Sequence, residues 1–214
     1  MRHVFTRSFD LPEHAHQFVA GHLRMQTLHY YKYKAGDEGD RRDPLEGVSI
    51  ISHPQPGMIL EIQRLPSPEA PGPHPVGRFT HDQILGPVVL SHEAYLRQHA
   101  LCCSCVPEED FMGHVQRNKY TVVVRDVNMF MERLSAGILH DGGWGFEYGR
   151  VEYFANDDTK FLPNIGFHKA NTFAHQHEYR FVIDAQGQRP DPWTLSVGGL
   201  SDICLIFKRD GLPS

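Results

Sequence analysis

The sequence has little that would draw it to a polyanion or a bilayer. Its 214 residues carry 21 Lys and Arg against 26 Asp and Glu, for a formal net charge of −5, so it offers no basic field for non-specific attraction to a phosphate backbone. No run approaches the roughly 18 apolar residues of a membrane span, and the opening MRHVFTRSFD lacks the apolar core of a signal peptide. These absences predict a soluble chain with no membrane partner, at work in a cytoplasm, whether of the producing cell or of a target cell. Cysteine is scarce as well. Three of the four, Cys102, Cys103 and Cys105, share the run ALCCSCV, with Cys204 far away. Neighbours on one strand point to alternate faces and cannot easily staple distant segments, so the thiols are expected to be reduced. Also missing are a Gly-x-x-x-x-Gly-Lys phosphate loop, a Gly-x-Ser-x-Gly elbow, a His-Glu-x-x-His pair and a recurring Cys-x-x-Cys.

What is present fits one well-filled core. Hydrophobic residues make up 40% of the chain, enough for a single domain spanning 1–214. HVFTRSF reads as a short strand. DLPEHAHQFVAG follows as a helix that Asp10 can cap, Pro12 can start and Gly21 can end. HLRMQTLHYY alternates Leu23, Met25 and Thr27 against Arg24, Gln26 and Leu28, which predicts a strand with one buried face. KYKAGDEGDRRDPLEG is then a charged loop. VSIIS and MILEIQRL read as a hairpin pair about the turn HPQPG, and the proline-rich stretch 66–77 as a surface excursion. GPVVLS, ALCCSCV, KYTVVVRD, GFEYGRVEYFA, RFVID and DICLIFK add strands, and NMFMERLSAG a helix with Phe130, Met131 and Leu134 at helical spacing. The sum is a strand-rich α+β domain.

Chemistry concentrates in AHQHEYRFVID, residues 174–184, where Gln176 and Glu178 stand two apart before a buried strand. If extended, the two side chains point the same way, and a carboxylate there can accept hydrogen bonds from ligand hydroxyls or pair with an arginine at the sheet edge. Tyr179 and Phe181 then anchor the strand in the core, with Arg180 on the ligand side or in a salt bridge. Arg7 and Arg24, in the first two strands, are candidate anchors for a pyrophosphate. Tyr30, Tyr31 and Tyr33 could stack on a nicotinamide or adenine ring. The 15 histidines make a metal-dependent hydrolase or nuclease the rival reading. His14 and His16 lie on different sides of their helix, however, and Cys102 and Cys105 face opposite ways, so no metal site is assigned.

The order of these parts resembles the ADP-ribosyltransferase superfamily, of the bacterial toxin or effector type. The likeness rests on HVFTRSF, EHAHQFVAG, HLRMQTLHYY and, much later, HQHEYRFVID. LRMQTLHYYK, RRDPLEG, CCSC and HEYRFVI are also similar to motifs of a broad group of bacterial proteins with no settled function. The first resemblance implies a split central sheet and NAD as substrate. It puts the phosphate or ribose anchor at Arg7, with Arg24 as second choice, and the middle-strand serine at Ser104, where this chain reads Cys-Ser-Cys rather than Ser-Thr-Ser. It makes Glu178 the catalytic glutamate and Gln176 the residue that orients the acceptor. The acceptor would be an intracellular protein or nucleic acid, and a toxin or defence effector of this kind implies an immunity or antitoxin protein as partner. On this view Glu178→Ala abolishes turnover at little cost in stability, because the carboxylate lies in a cleft. A catalytically inactive nucleotide-binding module on the same fold is the other alternative.

Overall fold

The computed structural model describes residues 2–33, 46, 48–53, 55–64, 74–84, 88–91, 93–115, 119–155, 160–161 and 166–209. β1 (His3–Phe9), α1 (Pro12–Val19) and β2 (His22–Thr27) open the chain as expected. Leu11, not Asp10, takes the N-cap position, and no side chain caps the helix. Gly21 adopts φ +88°, and a Cβ there would lie 1.8 Å from the Gly198 carbonyl oxygen. A residue without a side chain is required to end α1 and to let that backbone pass. β2 stops earlier than its alternation suggests. The Thr27 hydroxyl accepts the Tyr30 N–H at 3.2 Å, which turns the chain into α2 (Leu28–Tyr33) and moves the tyrosines from a strand onto a helix.

Next come β3 (Val48–Ser52), β4 (Ile59–Arg64), β5 (His74–Thr80), β6 (Val88–Ser91), α3 (Glu93–Leu96), β7 (His99–Pro107), α4 (Phe111–Val115) and β8 (Tyr120–Val124). The chain continues through α5 (Val127–Asp141), β9 (Gly145–Arg150), β10 (Glu152–Phe154), β11 (Lys160–Phe161), β12 (His168–Ala170), β13 (Glu178–Asp184), β14 (Trp193–Ser196) and β15 (Cys204–Lys208). VSIIS and MILEIQRL are not two arms of one hairpin: β3 pairs with β6 and β11, and β4 with β5. Apolar alternation specifies a strand and its buried face, not its partner. Of the proline-rich stretch, 66–73 lie outside the described residues. Residues 74–77 begin β5, where Pro75 is tolerated beside a register shift in a two-stranded ribbon. The charged loop, apart from Lys32, Tyr33 and Glu46, lies outside them too.

The main sheet has eight strands, all of its pairings antiparallel. β7 is its hinge. One edge of β7 is filled by β13 along His99–Ser104. The other edge is divided: Thr6 of β1 faces Ser104, while Gln26 of β2 faces Ala100. Between them, residues 101–103 have no ladder partner on that side. β1 leads on to β8 and β15, and β2 to β14.

α5 covers one face of this sheet. Asp126 caps it, its Oδ1 accepting the Met129 N–H at 3.0 Å. Phe130, Leu134 and Ile138 pack on Phe5, Phe18, Phe181 and Ile183 in one apolar cluster. Each such side chain contributes roughly 1.5–3 kcal/mol by leaving water. All four cysteines are free thiols. No helix among the described residues is long and apolar enough to cross a membrane.

Candidate active site

Alternation along β13 sorts its side chains between two environments. Tyr179, Phe181 and Ile183 meet the apolar cluster under α5, while Glu178 and Arg180 project from the opposite face. Both are buried, Glu178 at 6% exposure and Arg180 at 1%.

Charges deprived of water need partners. Arg180 Nε donates to Glu178 Oε1 at 2.6 Å, and Lys169 Nζ donates to Glu178 Oε2 at 2.8 Å. The Arg180 fork then engages Glu46 at 2.7 and 2.8 Å, with a further bond to the Gly166 carbonyl at 2.6 Å. Two cations thus face two carboxylates, all four buried. Lys169 Nζ also donates to Gln176 Oε1 at 2.8 Å and lies 4.8 Å from the centre of the Phe173 ring. The Glu178 backbone N–H donates to the Tyr153 hydroxyl at 2.9 Å.

This geometry decides the ionisation state. Burial pushes the Glu178 carboxyl upward, but the fields of Arg180 and Lys169 more than reverse it, and the group is held at about 2. Glu178 is therefore a permanent anion. Burial raises the Cys102 thiol far above its ordinary range and the Tyr31 phenol well above its own, and in both cases the nearby Glu178 charge adds to the effect. Neither group ionises at neutral pH. Burial likewise pushes Cys103 to about 11, so the run CCSC holds no ready nucleophile at these two thiols.

Ser104 of β7 stands directly across from Glu178, and Thr6 of β1 stands across from Ser104 on its other side. Tyr31 packs beside Cys102 on the same face, against Leu28, Leu96 and Ala100. Gln176 reaches the site by a route other than the expected extended one. It ends a 3₁₀ turn over Asn171–Gln176, and His177 follows with φ 46°. The two residues share Lys169 rather than one strand face.

Arg7 and Arg24 do not join this group. Arg7 belongs to the Phe5 face of β1, its guanidinium 5.7 Å from the centres of the Phe9 and Phe18 rings. Nη2 donates to the Arg24 carbonyl at 3.0 Å, across the interval where β7 lacks a partner, and Nη1 is buried without a partner. Its field lowers both the Cys103 thiol and the Tyr31 phenol, groups on opposite faces, as a charge seated in that interval would. The Arg24 side chain is exposed on β2, opposite Thr194. Tyr30 is half-buried, edge-on to Tyr31 at 5.7 Å.

Two points correct the sequence reading. Glu178 is not a cleft carboxylate that can be deleted freely, because its loss would leave Lys169 and Arg180 short of a buried partner. Sequence reasoning also missed Lys169, Tyr153 and Glu46, the last being part of RRDPLEG. The signal available was pairwise: RRDPLEG and HEYRFVI each carry a charge, and those charges meet in the Glu46–Arg180 fork.

Two cavities open to solvent near the sheet. One, of about 360 Å³, is lined by Tyr148, Arg150, Glu152, Phe167 and His168. There the buried His168 lies 3.5 Å from Glu152. The other, of about 660 Å³, lies at the His99 end of β7. Glu178 lines neither. Among the described residues, no group of three or more His, Cys, Asp or Glu is placed to hold a metal ion. No family model, curated protein or solved structure matches this chain.

Proposed function

We propose that the chain is an NAD-dependent ADP-ribosyltransferase acting on an intracellular macromolecule, with Glu178 as its catalytic carboxylate. The observation that carries this reading is a permanently ionised glutamate at the head of β13. It stands across from Ser104 on the strand whose far edge is divided between β1 and β2.

The chemistry asks little of such a group. When the nicotinamide–ribose C–N bond breaks, its electron pair returns to the pyridinium nitrogen, and nicotinamide leaves neutral without being protonated. No general acid is needed. Positive charge develops on the ribose, and a fixed anion lowers the energy of that state. The acceptor's nucleophile then bonds to the ribose carbon and gives up its proton. Glu178 keeps acceptor capacity for a ribose hydroxyl, since Arg180 and Lys169 each take one lone pair of a different oxygen. Gln176, tethered through Lys169, would orient the acceptor on this reading. Arg7, whose Nη1 is buried without a partner, would be the phosphate anchor on this reading.

One observation favours a second reading, an inactive nucleotide-binding module: Glu178 is already paired with two cations. The deciding experiment measures nicotinamide release from NAD by wild type and Glu178→Gln, with cell lysate as acceptor source and with or without chelator, both proteins first checked for folding by circular dichroism. Release that survives chelation and falls at least about 100-fold in the variant is expected. NAD binding without release in wild type supports the inactive module, and equal release by both proteins removes Glu178 from the chemistry.

A further inference from the structure

The cavity at the His99 end of β7 is a second candidate site, independent of the reading of Glu178. Ser104 and His99 are five residues apart on one strand, roughly 17 Å. At about 660 Å³ the cavity is of the size that takes a small ligand. Thr27, His29, Tyr33, Arg97, His99 and Arg189 contribute to its lining.

Three of these residues have unmet capacity of different kinds. Arg97 is exposed on the turn after α3 and has no carboxylate partner among the described residues. Tyr33 is 54% exposed, tilted against His29 at 4.7 Å and with Lys32 Nζ 5.6 Å from its ring centre, so its ring is only partly covered. His99 is 1% exposed, with Nε2 2.9 Å from the Pro190 carbonyl. A carbonyl only accepts, so Nε2 carries a proton; in the neutral ring Nδ1 then presents a lone pair, and that buried Nδ1 has no partner. Arg189, by contrast, is already bound to Asp141, and the Asp191 carboxylate is turned onto the Thr27 N–H and hydroxyl. Neither supplies the missing donor or neutralises Arg97.

We infer that this cavity binds a small ligand of nucleotide size that carries one anionic group and one aromatic ring. The anion, a phosphate or a carboxylate, pairs with the Arg97 guanidinium. The ring lies against Tyr33. A hydroxyl or amino group of the ligand donates to His99 Nδ1.

The test has a built-in local reporter. The chain has two tryptophans, and the Trp144 and Trp193 rings lie 5.3 and 5.7 Å from the Arg189 guanidinium. Trp193 is also edge-on to His99 at 5.3 Å. Tryptophan fluorescence is titrated with adenosine monophosphate, with adenosine and with inorganic phosphate, using wild type, Arg97→Ala and Tyr33→Ala. Both substitutions are at exposed side chains and leave the fold intact. The expected result is saturable quenching by the monophosphate in wild type, weakened about tenfold in each variant, with adenosine and phosphate each binding more weakly. No quenching up to about 10 mM, equal affinity in all three proteins, or adenosine binding as tightly as its monophosphate would each overturn the proposal.

Discussion

The two ends of β7 treat polar groups in opposite ways. At Ser104, the neighbouring charges of Glu178, Arg180, Lys169 and Glu46 are matched and buried. At His99, a ring nitrogen lacks a partner, a guanidinium has no carboxylate partner among the described residues, and a large cavity opens beside them. A network whose charges are all paired holds its members in one arrangement, which would suit a carboxylate with the proposed role. Unmet capacity next to open space is what a ligand completes. The two proposals use that difference: binding at the His99 end, positioning at the Ser104 end.

The contrast can be broken hardest at Arg180. Arg180→Met leaves Glu46 and Glu178 buried and short of a cation, and denaturant unfolding should show a loss of about 3–5 kcal/mol. A loss below about 1 kcal/mol would mean that water reaches the network and that the Ser104 end is open after all.

A pH series on Glu178→Gln sharpens the picture at intermediate size. The native carboxyl titrates at about 2 against an ordinary value of 4.5. Its contribution is therefore fully present above the unfolded value and lost as pH falls through the folded one. The stability gap between wild type and variant should be on the order of 3 kcal/mol at neutral pH and should close between about pH 5 and pH 2. A gap unchanged over that range would show that charge is not what Glu178 contributes.

The smallest effect is expected at the other end of the strand. Arg97→Ala should alter unfolding free energy by less than about 0.5 kcal/mol, since the side chain is exposed and has no carboxylate partner among the described residues. A larger loss would make Arg97 structural and erase the distinction between the two ends.

Much of the framework was legible from local pattern. Alternation located β2 and β9, apolar or β-branched runs located β7, β8 and β13, and helical spacing located α5, because burial imposes its pattern on the residues that form each element. The opening strand, helix and strand were readable down to Gly21, whose φ explains the residue. Pairing was less legible. Nothing in VSIIS says that its partner is VVLS rather than MILEIQ, since both are equally apolar. The neighbourhood of Glu178, Gln176 and Ser104 was readable, but not the network that joins it. Glu46 and Lys169 look like any loop or strand charge until a fold 134 residues wide brings Glu46 onto Arg180. Arg7 was singled out for its charge and its strand, but only the pairing register shows the interval it occupies.

The divided edge of β7 also bears on how the chain is made. β1 is complete once residue 9 has been synthesised, yet both of its neighbours, β7 and β8, come about a hundred residues later. At roughly 5–20 residues per second, β1 waits on the order of 5–20 s for its first partner. Throughout that interval HVFTRSF has two unfilled edges in the crowd around the ribosome, and the early part of the chain cannot collapse onto its own sheet. Protection of that segment by a chaperone, rather than the speed of any local folding step, should then govern how much of the protein is recovered from a cell.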